Sequence, residues 1–187
     1  LGTGTLAAWG KPGDTYHFYD INPLVIDIAQ SEFTYLKDSK AAIEISLGDA
    51  RLSLEREEPH NFDVLVVDAF SSDSIPVHLI TREALALYLR HMKPGGVIAF
   101  HVSNRFLDLP PVVGRLATES GLSVVLVTDN GQDGDDDHTK TDWVLIARDP
   151  KALEAEAIAA VSPEPPEDQP GWRAWTDDYS NLVQILK

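Results

Sequence analysis

Val64 to Val67 form an unbroken apolar run dominated by β-branched side chains. A strand points alternate side chains to opposite faces, so a run with no polar position predicts a strand buried on both sides. Cover on both faces has to come from helices above and below, which restricts the chain to an α/β architecture with mostly parallel strands. The run ends at Asp68, and Ser71, Ser72 and Asp73 follow before Pro76. Ligands meet an open parallel sheet at the carboxyl ends of its strands, so the chemistry is expected in FDVLVVDAFSSDSIP, Phe62 to Pro76. Asp68 reads either as the cap of the next turn or as a group that meets a ligand. A second acid, Asp73, with two serines between them favours the ligand.

The rest of the chain supplies the alternation that such a sheet needs. At the start, Leu1 to Ala7 fits G-x-G-x-x-A through Gly2, Gly4 and Ala7, a tight turn that brings backbone against a nucleotide at a helix start. The strand expected before that turn is absent, so the first strand reads as truncated and the sequence as part of a longer chain. Thr15 to Ile21 is the next strand, and its Asp20 lies close to the spacing at which an acid reaches a ribose hydroxyl; an Asx turn before Pro23 is the competing reading. Pro23 opens a helix expected to turn Leu24, Val25 and Ile28 toward the sheet. Ala42 to Leu47 is a third strand, followed by Gly48, Asp49 and Ala50. Asp49 can N-cap the helix from Ala50 to Glu57, contact a ligand, or do both.

Beyond the central strand, Thr81 is positioned to cap a helix through Met92, which Pro94-Gly95-Gly96 stops. Val97 to Val102 is a fifth strand leading to Ser103, Asn104 and Arg105 on the same rim, where Asn104 either orients a substrate amine or forms a turn. Pro110 and Pro111 begin a further helix that Gly121 ends. Leu122 to Thr128 and Asp142 to Arg148 are strands with no helix between them, so they are expected to pair antiparallel. A closing hairpin separates the S-adenosylmethionine-dependent transferase form of this sheet from a plain dinucleotide dehydrogenase. Lys151 to Val161 reads as an amphipathic helix ending an α/β domain of residues 1–161. Ser162 to Gly171, with four prolines, reads as a linker. Residues 172–187 regain aromatic and apolar side chains and are expected to dock back over the substrate entrance, bringing Asp177 with them.

A formal charge of −15, from 15 Lys and Arg against 30 Asp and Glu, excludes a nucleic-acid binder, because phosphate contacts need cations. With no cysteine there is neither a disulfide nor a thiolate nucleophile. The acidic stretch Asp133 to His138 lacks the ligand spacing of a calcium loop, and the six histidines form no close metal-binding pair, so no metal is expected. No apolar run approaches the length that crosses a bilayer.

The stretches LGTGTLAAWGKPGD, FYDINP, GDAR, FDVLVVDAFSSDSIPVHLITREAL, FHVSNR and WTDDYSNL together resemble the spermidine synthase-like branch of the class I S-adenosylmethionine-dependent transferases. The similarity is greatest to bacterial proteins in which such a domain follows a membrane-embedded half. It implies a Rossmann-like class I methyltransferase sheet, mostly parallel with an antiparallel C-terminal hairpin. It implies further that Gly2, Thr3 and Gly4 approach S-adenosylmethionine or its decarboxylated form, that Asp20 holds the ribose, and that Asp49 and Ala50 hold the adenine. Asp68 and Asp73 would then act on the attacking amine, with Ser71, Asn104 and Asp177 on the substrate side. Two departures stand out: Thr3 occupies the place of an acid in the family's glycine turn, and the family's D-x-x-D spacing becomes Asp68 followed by Asp73. The reaction implied is transfer of an aminopropyl group to a polyamine-type amine, with methyl transfer and a non-catalytic ligand-binding domain of a membrane protein as alternatives. A cytoplasmic, soluble domain is expected, attached to the upstream membrane half, with a homodimer compatible.

Overall fold

The computed structural model of the chain describes residues 1–69, 76–131 and 140–187. Ser71, Ser72 and Asp73, and the acidic stretch Asp133 to His138, lie outside the described residues. The chain divides into two compact units, Leu1–Glu57 and Glu58–Lys187.

In the first unit a 3₁₀ turn, Thr5–Trp9, follows the glycine turn. Strand β1 (Thr15–Asp20) pairs parallel with β2 (Ala42–Leu47), in a register that sets Asp20 beside Leu47. Helices α1 (Pro23–Ser31) and α2 (Tyr35–Asp38) connect them, and α3 (Ala50–Arg56) follows β2. Pro23 stands in the first turn of α1, where its missing N–H has no intrahelical partner to lose, and Asn22 caps the helix by accepting from the Leu24 N–H. The inward face of α1 differs from the expectation. Ala29 is buried and Val25 and Ile26 are half-buried, whereas Leu24 and Ile28 are exposed. The spacing of Val25, Ile26 and Ala29 is itself helical, so the buried stripe is rotated by about one position.

The second unit holds a four-stranded sheet in the order β3-β4-β6-β5. Its strands are β3 (Phe62–Val67), β4 (Met92–His101), β5 (Ser123–Asp129) and β6 (Thr141–Ala147). β3 and β4 are parallel, and β6 runs antiparallel to both β4 and β5, so β6 alone opposes the other three. The expected hairpin is present, and its second strand lies inside the sheet against β4. Helix α4 (Arg82–His91) packs on β4, and α5 (Pro110–Glu119) packs on β5 and β6. Ile98 and Phe100 of β4, Val144 and Ile146 of β6, Leu85 of α4 and Leu116 of α5 are almost wholly buried. Each such side chain contributes about 1.5–3 kcal/mol by leaving water.

The strand buried on both faces is β4, where Ile98, Ala99 and Phe100 are all buried, and not β3. In β3, Val64 is 58% and Val66 38% exposed. Within its unit and among the described residues, β3 stands at the end of the order and pairs with β4. Helix α4 ends at His91, one residue earlier than expected, and Pro94-Gly95-Gly96 falls within β4. A Cβ on Gly96 would meet the Phe62 carbonyl oxygen at 2.9 Å, so a side chain there would push β3 and β4 apart at their irregular start.

Two further segments differ from expectation. Lys151 to Val161 is broken into a 3₁₀ turn (Pro150–Glu154) and the single turn α6 (Glu156–Ala159), with Ala155 extended between them. The proline-rich segment expected to link is instead pinned to the unit. Glu164 and Leu126 exchange two backbone hydrogen bonds, extending the free edge of β5, and Arg115 bonds the Asp168 carboxylate and the Gln169 carbonyl. Proline lacks an N–H, but Glu164 between Pro163 and Pro165 retains its own and can still pair with an edge strand. In the tail, Ala174, Trp175 and Ile185 are buried.

Candidate functional site

Each unit presents functional side chains at the carboxyl ends of its parallel strands. In the first unit the turn before Thr5 is closed by the Gly4 N–H donating to the Leu1 carbonyl at 3.0 Å. Gly2 and Gly4 take φ of 54° and 84°, a region L side chains rarely adopt, and a Cβ on Gly4 would meet Leu36 Cδ2 at 2.7 Å. A Cβ on Gly2 would have open space around it, which is the room a ligand needs to approach this backbone. Thr3 between them is half-buried.

Asp20 ends β1, and Asp49 follows β2 by two residues. The Asp20 carbonyl accepts from the Gly48 N–H at 2.8 Å, which ties the two strand ends together. Asp20 Oδ1 accepts from the Asn22 N–H at 2.9 Å, and Oδ2 lies 3.5 Å from the Leu1 nitrogen, so the acid also reaches the glycine turn. Asp49 Oδ1 accepts from the Leu52 N–H at 2.9 Å and N-caps α3, leading into Ala50. Both competing readings of these acids therefore describe real bonds: an Asx-type turn at Asp20 and a helix cap at Asp49.

On the same two strands, Tyr19 donates to Glu57 Oε2 at 2.6 Å, and its ring stacks on His17, whose Nε2 bonds Ser46 Oγ at 2.8 Å. Burial first, and then the hydrogen bond and charge of Glu57 with the charge of Glu44, push the Tyr19 phenol above its ordinary value. It stays neutral and donates.

In the second unit Asp68 follows β3, and the last residue of the neighbouring β4 is His101. His101 Nδ1 lies 2.8 Å from Asp68 Oδ1, and its Nε2 lies 2.8 Å from Ser103 Oγ. β6 runs the opposite way, so its first residues arrive at this same rim. Trp143, which pairs with His101 across the sheet, stacks on the imidazole with ring centres 4.7 Å apart. The Asp142 N–H donates to Ser103 Oγ at 2.8 Å. Asn104 Oδ1 accepts from the Phe106 and Leu107 N–H groups, so its side chain shapes the turn, and its carbonyl accepts from Lys187 Nζ at 2.8 Å. The tail thus reaches the segment that follows β4.

Asp177 lies at the N-terminus of α4. Thr81 Oγ1 donates to Asp177 Oδ1 at 2.8 Å while accepting from the Ala84 N–H as helix cap, and the Asp177 N–H donates to Glu83. Asp177, Asp178, Thr81, His78 and Tyr179 line an open cleft of about 500 Å³. Among the described residues no group of three or more His, Asp or Glu is placed to hold a metal ion, and no helix is long and apolar enough to cross a membrane.

His101, Ser103 and Trp143 were missed as site residues in the sequence reading. The available signal was positional: His101 ends a strand, and Trp143 opens one that must run antiparallel.

No family model matches the chain. Over 89 residues it is 32% identical to the polyamine aminopropyltransferase of Vibrio vulnificus (strain CMCP6), a match covering 46% of this chain and 28% of that protein. The crystal structure of a probable spermidine synthase from Corynebacterium glutamicum ATCC 13032 superposes with a TM-score of 0.62 at 18% identity, covering 89% of this chain and 64% of that one. Human methyltransferase-like protein 13, solved in complex with SAH, superposes with a TM-score of 0.51 at 15% identity, covering 98% and 97% of the two chains. The chain therefore spans under a third of the curated relative and under two thirds of the first of these structures. With its mostly parallel strands and the antiparallel β6, this chain has an α/β fold similar to that of Rossmann-like methyltransferases and of the spermidine synthase structures.

Proposed function

We propose that the chain is the catalytic domain of an S-adenosylmethionine-type transferase that moves an aminopropyl group onto a small polyamine-type amine. The observation that carries this reading is Asp68, a half-exposed carboxylate at a strand end, held through one oxygen by His101. The similarity to an aminopropyltransferase supports it. Gly2, Thr3, Gly4, Asp20, Asp49 and Ala50 are the residues that fit the adenosyl donor. The open space at Gly2 admits it, and the carboxylates of Asp20 and Asp49 at the strand ends suit ribose hydroxyls and the adenine amine. The donor supplies a carbon made electrophilic by its sulfonium. Asp68 takes the proton lost by the attacking amine, a general-base role worth about 10²- to 10⁴-fold in rate. Asp73 and Ser71, in the segment after Asp68, and Asn104 and Asp177 are assigned to the amine substrate. Asp177 and Asp178 give the cleft beside α4 the charge to hold an ammonium group.

Thr3 favours keeping methyl transfer as a second reading. A neutral residue in the glycine turn does not repel the carboxylate of S-adenosylmethionine, and selectivity between two such donors usually rests on an unpaired charge. The test is to titrate both donors into the full chain by calorimetry and then look for aminopropylated or methylated diamines by mass spectrometry. Aminopropyl product is expected, with weak discrimination between donors in binding. Methylated product alone would move the assignment to the second reading. Binding without product would leave a ligand-sensing domain, attached in the cell to a membrane-embedded half.

A further inference from the structure

We infer that His101 is the positioning residue of Asp68, orienting that carboxylate through an imidazole whose tautomer Ser103 fixes. The inference rests on the transferase reading and adds to it a group that acts through the base and does not touch substrate.

The argument runs through the hydrogen atoms. An ionised carboxylate has no proton to give, so the 2.8 Å contact between His101 Nδ1 and Asp68 Oδ1 requires the proton on Nδ1. Ser103 Oγ accepts the Asp142 N–H, and its own hydroxyl proton is available to His101 Nε2 at 2.8 Å. With that proton given to Nε2, the bonds point one way, from the Asp142 backbone through Ser103 and His101 to Asp68. Trp143 covers one ring face at an interplanar angle of 22°, so the ring is held by stacking as well as by both nitrogens. His101 on β4 and Asp142 and Trp143 on β6 belong to the sheet, and Ser103 follows β4 by two residues, which makes a rigid sheet the reference frame for the base.

The consequence for the reaction is geometric. As the amine nitrogen forms its bond to the donor carbon, the carbon–sulfur bond breaks and its electron pair stays on sulfur. The amine proton goes to Asp68 Oδ2, the oxygen that His101 does not hold. With Oδ1 tied to the sheet, Oδ2 is kept in one place. A carboxylate on the first residue after a strand would otherwise rotate freely, and loss of orientation of that kind costs about 10²-fold.

The test has two arms. In the first, imidazole ¹⁵N NMR of the full chain, with His101 assigned from the signals lost in His101→Gln, reads the tautomer directly. The Nδ1–H form is expected in the wild type, shifting toward Nε2–H in Asp68→Ala. An Nε2–H wild-type ring, or no change in Asp68→Ala, would overturn the inference. In the second, kcat of His101→Ala is expected to fall about 10²-fold with KM changed by less than about threefold. His101→Gln, whose amide can donate to Asp68 and accept from Ser103, is expected to recover at least half of that loss on a logarithmic scale. Equal kcat for the wild type and His101→Ala, or equal impairment of both variants, would overturn it. Absence of product from the wild type would overturn the transferase reading alone, since the tautomer arm decides the bond without turnover.

Discussion

The acids of the first unit and the acid of the second are held in opposite ways. Asp20 and Asp49 each accept a backbone N–H from two or three residues further along the chain, so their positions are set by their own loops. Asp68 is held by the side chain of His101, 33 residues away, which in turn depends on Ser103, Asp142 and Trp143. Local backbone bonds suit a group that grips an unreacting part of a ligand, because they survive any sequence that makes the turn. A side-chain network suits a group whose orientation has to be tuned, because each member can be exchanged separately.

The comparison breaks first, and with the largest effect, at Asp68. Asp68→Asn keeps size and polarity and removes the proton acceptor, so kcat should fall about 10²- to 10⁴-fold. Its melting temperature should barely move, since the side chain is half exposed. A fold as badly damaged as the activity would make Asp68 a structural residue. Asp20→Ala comes next: a charge-assisted bond of about 1.5–3 kcal/mol should vanish from donor binding, a loss of roughly tenfold or more in affinity by calorimetry. Unchanged affinity would remove Asp20 from the donor site.

Thr81→Ala sharpens the contrast at intermediate size. It deletes both a helix cap and a bond to a residue 96 positions away, so about 1–2 kcal/mol of stability should go. Hydrogen exchange should then show faster opening around Thr176 to Ser180 than in the wild type. Uniform protection would mean that the tail is held elsewhere.

The smallest effect belongs to Asp108. Burial pushes its carboxyl above the ordinary value, with the charges of Glu167 and Asp142 adding and Lys187 opposing. An acid with a raised folded-state pKa binds its proton more tightly folded than unfolded. Its contribution is therefore complete below the unfolded value and is lost as pH rises through the folded one. Asp108→Asn should thus be slightly more stable than the wild type at neutral pH and equal to it in strong acid, as read from thermal melts across pH. A variant less stable at neutral pH would reverse the sign.

What could be read from the sequence divides along the same line as the acids. Helix caps at Asp49 and Thr81, the helix start at Pro23 and the glycine turn at Gly2 and Gly4 follow from neighbours two to four residues apart, and those features hold in the structure. So does the antiparallel pairing of β5 with β6. Features set by distant partners were not legible. The burial of Val64 and Val66 depends on which strands flank β3, and the inward face of α1 depends on where the sheet lies. The fixing of Ser162–Gly171 depends on β5 having a free edge. The partnership of Asp68 with His101 needs the register of β3 on β4, which no local pattern encodes.

The place of β6 carries a consequence for how the chain is made. Among the described strands of this sheet β6 leaves the ribosome last, yet it lies between β4 and β5. β5 emerges first and has no berth in the sheet until Thr141–Ala147 follows. Through that interval Val124 to Val127 are an unpaired apolar segment, and β4 has an open edge beside it. Glu164, which closes the far side of β5, is synthesised later still. Assembly of this half of the sheet therefore has to wait for Thr141–Ala147 and then close quickly, and a pause in translation just before Thr141 would leave the nascent domain at its most prone to aggregate.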